Sequence, residues 1–264
     1  MHMLTSLMYT LLYLNFVIFL LCQMENFMKR ISVVSDLHIF CGRSVWKNKL
    51  RAIEDAIRSS DIFVLNGDTF DFRWSNSHSL DFAFEKAIDF LRHLTSINPE
   101  CHIHLNLGNH DHHSEFCKRL AELEKELPNF SWHPYYLRIG TLVFLHGEPT
   151  ERKMSHKQLE KYRKKWERKR PITQPMLDNL YDLAVKSKAH VILTRMFFTK
   201  RRIARNLLWY LKSLGLDSNS GITDVYFGHT HVPVANFRYK GISFHNSGTA
   251  YKGMKLNILR TLIL

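Results

Sequence analysis

Five short motifs hold most of the chemistry available to this chain: Ser35-Asp36-Leu37-His38, Asn66-Gly67-Asp68, Gly108-Asn109-His110-Asp111, His146-Gly147 and Gly228-His229-Thr230-His231. Together they offer carboxylate, carboxamide and imidazole donors. Imidazole mixed with carboxylate suits Mn, Fe, Zn or Ni, whereas Mg prefers an all-oxygen shell. Each motif alone is weak, because a single Asp-x-His is more often a turn or a satisfied surface pair. Five in this order, each at the end of an expected strand, have no purely structural explanation. They nominate Asp36, His38, Asp68, Asn109, His146, His229 and His231 as metal ligands. Of the 16 histidines, His2, His78, His93, His133, His156 and His190 are read as bystanders. His102 and His104 alternate within a strand and are expected to face away from the site. His112 and His113 are either supporting or exposed.

The elements that must position these donors follow from apolar spacing. Strand-like runs cover Ile31–Ser35, Asp61–Leu65, Ile103–Leu107, Tyr135–Ile139 and Thr141–Leu145. Helical spacing covers Trp46–Ile57, Phe82–Leu94 and Glu115–Leu127. Further β-like runs cover Val225–Phe227, Val234–Tyr239, Ile242–His245 and Lys255–Leu264. Early βαβ units with a β-rich end predict an α/β fold of two mixed sheets flanked by helices. Loops at the carboxyl ends of strands are where ligands converge in such sheets. Glycines beside Asp68, Asn109, His146 and His229 let the backbone turn sharply there.

Net charge is +13, with 45% apolar residues, which excludes wholesale disorder and favours an anionic partner. Composition alone leaves phosphorylated substrate, nucleic acid and acidic lipid surface open. Residues 151–220 carry 18 Lys+Arg against 6 Asp+Glu, so nearly all the excess charge sits in one insertion. Its later part interleaves Phe197, Phe198, Ile203, Leu207, Leu208 and Leu211 with Lys200, Arg201, Arg202, Arg205 and Lys212, the pattern of a basic amphipathic helix. The four scattered cysteines read as free thiols. The uncharged apolar stretch Leu4–Cys22 just reaches spanning length. It lacks the basic start and small-residue cleavage site of a signal peptide. As an anchor it would leave the chain after Lys29 and Arg30 in the cytoplasm; the other reading is a natural start at Met28. The domain division is therefore 1–27 apart and 28–264 as one domain with insertion 151–220.

The motif set resembles the calcineurin-like metallophosphoesterase superfamily over roughly residues 31 to 249. The resemblance implies a four-layer αββα sandwich with two divalent metal ions, manganese first among the alternatives. By it, Asp36, His38, Asp68 and His231 would hold one metal. Asp68, Asn109, His146 and His229 would hold the other, so that Asp68 bridges. His110 would act on the phosphoryl or leaving-group oxygen, with Asp111 orienting it. Within the superfamily, the size, the stretch NGDTFDFRW and the basic-aromatic insertion are most similar to the UDP-2,3-diacylglucosamine pyrophosphatases of lipid A synthesis. That likeness implies an acylated nucleotide-sugar substrate bound by Asn109, His110, Arg201, Arg202, Arg205, Phe197 and Phe198 under a lid-like insertion. It also implies a cytoplasmic protein on, or anchored to, an anionic inner-membrane surface. The chain departs from that family at His110, where its best-known members carry Arg. A soluble cyclic-nucleotide-type phosphodiesterase is the alternative enzyme. A nucleic-acid-binding protein on a decayed metal fold would explain the charge, but all seven ligand positions hold competent residues, so no nucleic-acid partner is expected.

Overall fold

The computed structural model describes residues 28–75, 79–167, 199–216 and 218–263. The apolar segment 1–27, together with Phe197 and Phe198, lies outside the described residues.

Strands β1 (Lys29–Val34), β2 (Ile62–Asn66), β3 (His102–Asn106) and β4 (Phe130–His133) are mutually parallel, and β10 (Leu259–Ile263) joins antiparallel to give the order β10-β1-β2-β3-β4. The second sheet has the order β5-β6-β7-β9-β8, from β5 (Tyr136–Ile139), β6 (Leu142–Leu145), β7 (Asp224–Phe227), β8 (Val234–Tyr239) and β9 (Ile242–Asn246). β2 reads IFVLN and is buried throughout, as a central parallel strand covered on both faces must be.

The first sheet's outer face is covered by α1 (Leu50–Arg58), α2 (Leu80–Ile97) and α3 (Ser114–Glu126). Ser79 caps α2 by accepting a hydrogen bond from the Phe82 amide. Its stripe Ala83, Phe84, Ala87, Ile88, Leu91 and Leu94 packs with Phe63, Leu65, Ile103 and Leu105. Between the sheets lie Ile31, Val33, Val64, Leu142, Phe144 and Tyr226. On the far side, α5 (Lys200–Ser213) covers the second sheet with Ile203, Ala204, Leu207, Tyr210 and Leu211. The layers are therefore helix, sheet, sheet, helix, as the superfamily resemblance implies.

Two features of the insertion differ from the expectation. The apolar side of α5 is buried against the second sheet, so among the described residues it presents no open slot for acyl chains. The basic stretch Arg152–Arg170, polar almost all round, contains α4 (His156–Glu167) with Leu159 and Arg163 buried. Arg163 is fully buried. Its Nε donates to Glu148 Oε1 at 2.6 Å and Nη2 to the Leu107 carbonyl at 2.8 Å, and Nη1 also reaches the Pro134 carbonyl. A helix with almost no apolar residues is thus fastened to the end of β3 by one guanidinium. β4 (FSWH) has one buried residue, Phe130, and three half-buried ones, and so lacks the apolar run that marks β2.

Where the sheets end, side-chain amides replace the apolar layer. Asn66 Nδ2 donates to the carbonyls of Leu145 and Tyr226, both at 3.1 Å, and Asn106 Nδ2 donates to Asn66 Oδ1 at 2.8 Å. Asn246 Nδ2 donates to the Gly228 carbonyl at 2.9 Å. These amides satisfy carbonyls at the mouth of the sandwich that would otherwise be buried unpaired.

Removing Arg163 strands Glu148 as a buried unpaired carboxylate. We expect Arg163→Met to lose about 3–5 kcal/mol of stability by chemical denaturation, and Arg163→Met with Glu148→Gln to recover part of it. A loss below about 1 kcal/mol would contradict the fastening role.

Candidate metal centre

All seven expected ligands lie in loops that leave the strands toward one end of the sandwich. Asp36 and His38 follow β1, Asp68 follows β2, Asn109 follows β3, His146 follows β6, and His229 and His231 follow β7. Asp36, His38, Asp68, His229 and His231 hold positive φ, at 55°, 48°, 49°, 64° and 58°. Such angles are uncommon outside glycine, and each costs on the order of 1–3 kcal/mol. Backbone hydrogen bonds hold these loops: the Asp36 amide donates to Gly67 O and the His38 amide to Asp68 O, both at 3.0 Å. At Gly108 and Gly228 an added Cβ would collide with the carboxylates of Asp68 and Asp36, so side chains are excluded where the loops close on the site.

Three sets of donors converge: Asp36 with His38 and His231, Asp68 with His146 and His229, and, where these two meet, His38 with Asp68 and His110. His231 Nε2 is 3.3 Å from Asp36 Oδ1, and His146 Nε2 is 3.1 Å from Asp68 Oδ2. His38 Nε2 stands 3.9 Å from both Asp36 Oδ1 and Asp68 Oδ2, which places the Asp68 carboxylate between the groups. Two pairs of ring nitrogens face each other closely, His38 Nε2 with His231 Nε2 at 3.2 Å and His229 Nδ1 with His146 Nε2 at 3.3 Å. Metal–nitrogen bonds of about 2.0–2.1 Å set ligands of one ion roughly 3 Å apart, so this is ligand spacing. Asn109 is buried, and its Oδ1 has no hydrogen-bond partner, an orphan acceptor that a cation would satisfy. The residues present fit two divalent cations sharing Asp68.

Two carboxylates that the motifs did not single out orient these ligands. Asp71 Oδ2 lies 3.2 Å from His38 Nδ1, and Glu151 Oε1 lies 2.9 Å from His229 Nε2. Each leaves the other ring nitrogen directed at the site, the usual arrangement behind metal-binding histidines. Asp71 Oδ1 also lies 3.0 Å from His110 Nδ1. Asp111 was expected to orient His110, and the carboxylate facing His110 Nδ1 is that of Asp71. Asp111 accepts from the amides of Gly108 at 2.6 Å and Thr69 at 2.7 Å, and so ties two ligand loops together. The only advance signal for Asp71 was its place in NGDTFDFRW.

Among the insertion residues, Arg201, Arg202 and Arg205 are exposed on α5. Arg202 Nη2 donates to the Glu151 carbonyl at 3.2 Å, which brings it beside the His229 partner. Arg205 lines a separate surface cavity of about 310 Å³ with Lys153, Trp209, Lys212, Tyr239 and Lys240. His102 pairs with Ser131 and His104 with His133 on β4, away from the metal centre.

Charge in the centre is balanced within it. Burial disfavours an ionised Asp68, but the imidazoles of His146, His110 and His38 outweigh this and hold it well below the usual carboxylate range. Burial likewise opposes a charged His146, and Asp68 with Glu148 and Asp36 pushes it up to about 10. His110 rises to about 9, because Asp71 and Asp68 overcome its desolvation. The cluster is a set of anions and imidazoles that stabilises positive charge at its middle.

Residues 29–233 match the family model described as calcineurin-like phosphoesterase. The chain belongs to the calcineurin-like phosphoesterase family. Among solved structures, the E. coli phosphoesterase Yfce is similar at 14% identity and a TM-score of 0.34, over 84% of this chain and 80% of that one. No curated protein matches. Divalent metal dependence is implied by the family, and the paired His/Asp groups are placed to provide it. Among the described residues, no helix is long and apolar enough to cross a membrane.

For this calcineurin-like phosphoesterase, Asp71→Asn is expected to lower metal affinity or turnover by about 10–100-fold. Asp111→Asn should register first as a lower Tm. Metal titration and thermal melts of both variants check this. The reverse ranking would return the orienting role to Asp111.

Proposed function

We propose that this phosphoesterase hydrolyses a phosphoanhydride, taking a UDP-2,3-diacylglucosamine-type substrate to UMP and a lipid monosaccharide phosphate. The observation that carries a hydrolytic reading is the Asp68 carboxylate between two imidazole groups, with His110 beside it. Two divalent cations held by these residues, manganese first, would lower the pKa of a water molecule and draw charge off the phosphoryl oxygens.

The chain's own groups supply the rest. His110 Nε2 is 3.9 Å from Asp68 Oδ2, and its Nδ1 faces Asp71. The ring is therefore held with Nε2 toward the cleft, where it can donate a proton to the departing oxygen. Glu151 keeps His229 oriented, and the ring of Trp166 packs 4.9 Å from that of His110, limiting its rotation. Arg202 offers positive charge next to Glu151, the partner of His229, and Arg201 and Arg205 add exposed charge on the same helix, suited to an anionic membrane surface. The substrate assignment draws on the sequence likeness of NGDTFDFRW and the basic insertion. A soluble nucleotide phosphodiesterase is the second reading, favoured by His110 in place of Arg and by the burial of the apolar face of α5.

A turnover screen of the Met28-start protein with manganese should compare a UDP-diacylglucosamine, bis-p-nitrophenyl phosphate and cyclic AMP. The first two are expected to be cleaved, with the acylated substrate strongly preferred. Preference for cyclic AMP would overturn the substrate. His110→Asn is expected to lower kcat by roughly 10²–10⁴ while two metals per chain are retained. Metal loss on that change would make His110 a ligand.

A further inference from the structure

The stretch Asn66–Trp74 does more than deliver Asp68 and Asp71. Phe70 and Phe72 enter the core, which leaves Arg73 and Trp74 without a part in the metal centre. The Arg73 guanidinium lies over the Trp166 ring at 4.4 Å and near the Trp74 ring at 5.5 Å. Trp166 is the same ring that packs 4.9 Å from His110. One indole thus contacts both the catalytic imidazole and a cation, and Arg73, Asn109 and His110 line the same recess.

That cation is short of acceptors. Asp71, the nearest carboxylate in sequence, is already committed. Its Oδ1 accepts from the amides of Arg73 and Trp74 and faces His110, and its Oδ2 faces His38. Glu167, across the same recess beside Trp166, has Oε1 taken by the Ser114 amide. Arg73 Nε is buried without a hydrogen-bond partner. An arginine stacked on aromatic rings presents its N–H donors in its own plane, and that fork matches a phosphate edge-on. A purely structural arginine in this position would have its donors filled, as those of Arg163 are.

We propose that Arg73 binds the second phosphoryl group of a phosphoanhydride substrate and makes this site selective for diphosphate esters over single phosphodiesters. The inference rests on the reading of the metal centre and His110 as the hydrolytic site. Trp166, on the α4 that Arg163 fastens to the core, is a positioning residue in contact with both Arg73 and His110.

The test compares inorganic pyrophosphate with inorganic phosphate as competitive inhibitors of bis-p-nitrophenyl phosphate hydrolysis, at one buffered free-manganese concentration. Wild type is expected to bind pyrophosphate more tightly. In Arg73→Gln the ratio of the two inhibition constants should fall by about 10-fold or more, the effect of a lost charge-assisted contact. Arg73→Lys, which keeps charge without the fork, should give an intermediate ratio, and it carries the test if the Gln variant does not fold. Trp166→Phe should keep the wild-type ratio and Trp166→Leu should lower it. An Arg73→Gln protein that folds and shifts both inhibitors equally, or neither, overturns the assignment. If wild type fails to turn over bis-p-nitrophenyl phosphate with any of Mn, Fe, Zn or Ni, the hydrolytic reading beneath it fails instead.

Discussion

Two ionised carboxylates, Asp36 and Asp68, are buried almost completely within reach of the same imidazole, His38. Burying like charges together is costly unless something positive sits among them. The surrounding histidines offset part of that cost, and their close-facing nitrogens leave a space suited to cations. Five of these residues also hold left-handed backbone conformations. Such strain persists only where neighbouring structure over-determines it. The fold around the centre can be understood as what over-determines it.

Each layer contributes. Parallel β1, β2 and β3 aim three ligand loops the same way, and β6 and β7 aim the others from the facing sheet. The Asn66 amide joins the two sheets just below the ligands, Asn106 holds Asn66 in place, and Asn246 ties β9 to the loop after β7. Asp111 binds the amides of two loops, and Gly108 and Gly228 leave no side chain between loop and carboxylate. The Arg163–Glu148 pair then sets α4, and with it Trp166, over the opening.

The candidate donors were legible in the sequence because each sits in a short motif at a strand end, where residue type and position carry the same message. The two-sheet sandwich was legible from βαβ spacing followed by β-rich runs. The orienting carboxylates were not, because the pairing of Asp71 with His38 spans 33 residues and that of Glu151 with His229 spans 78; only the fold makes them neighbours. The bonds of Asp111 to the Gly108 and Thr69 amides were equally invisible in the sequence. An amphipathic helix such as α5 has one apolar face whether it covers a sheet or a ligand, so periodicity alone could not separate a lid from a layer. Arg163 sits in a basic run, and its burial depends on Glu148 and two backbone carbonyls elsewhere in the chain.

The central claim is that Asp68 is shared by two cations. Anomalous diffraction at the manganese edge, from crystals of the manganese-loaded protein, tests it most directly. The account predicts two peaks about 3.5–4 Å apart flanking the Asp68 carboxylate, one beside Asp36, His38 and His231 and the other beside Asn109, His146 and His229. A single peak, or two peaks with Asp68 bound to only one of them, would contradict it.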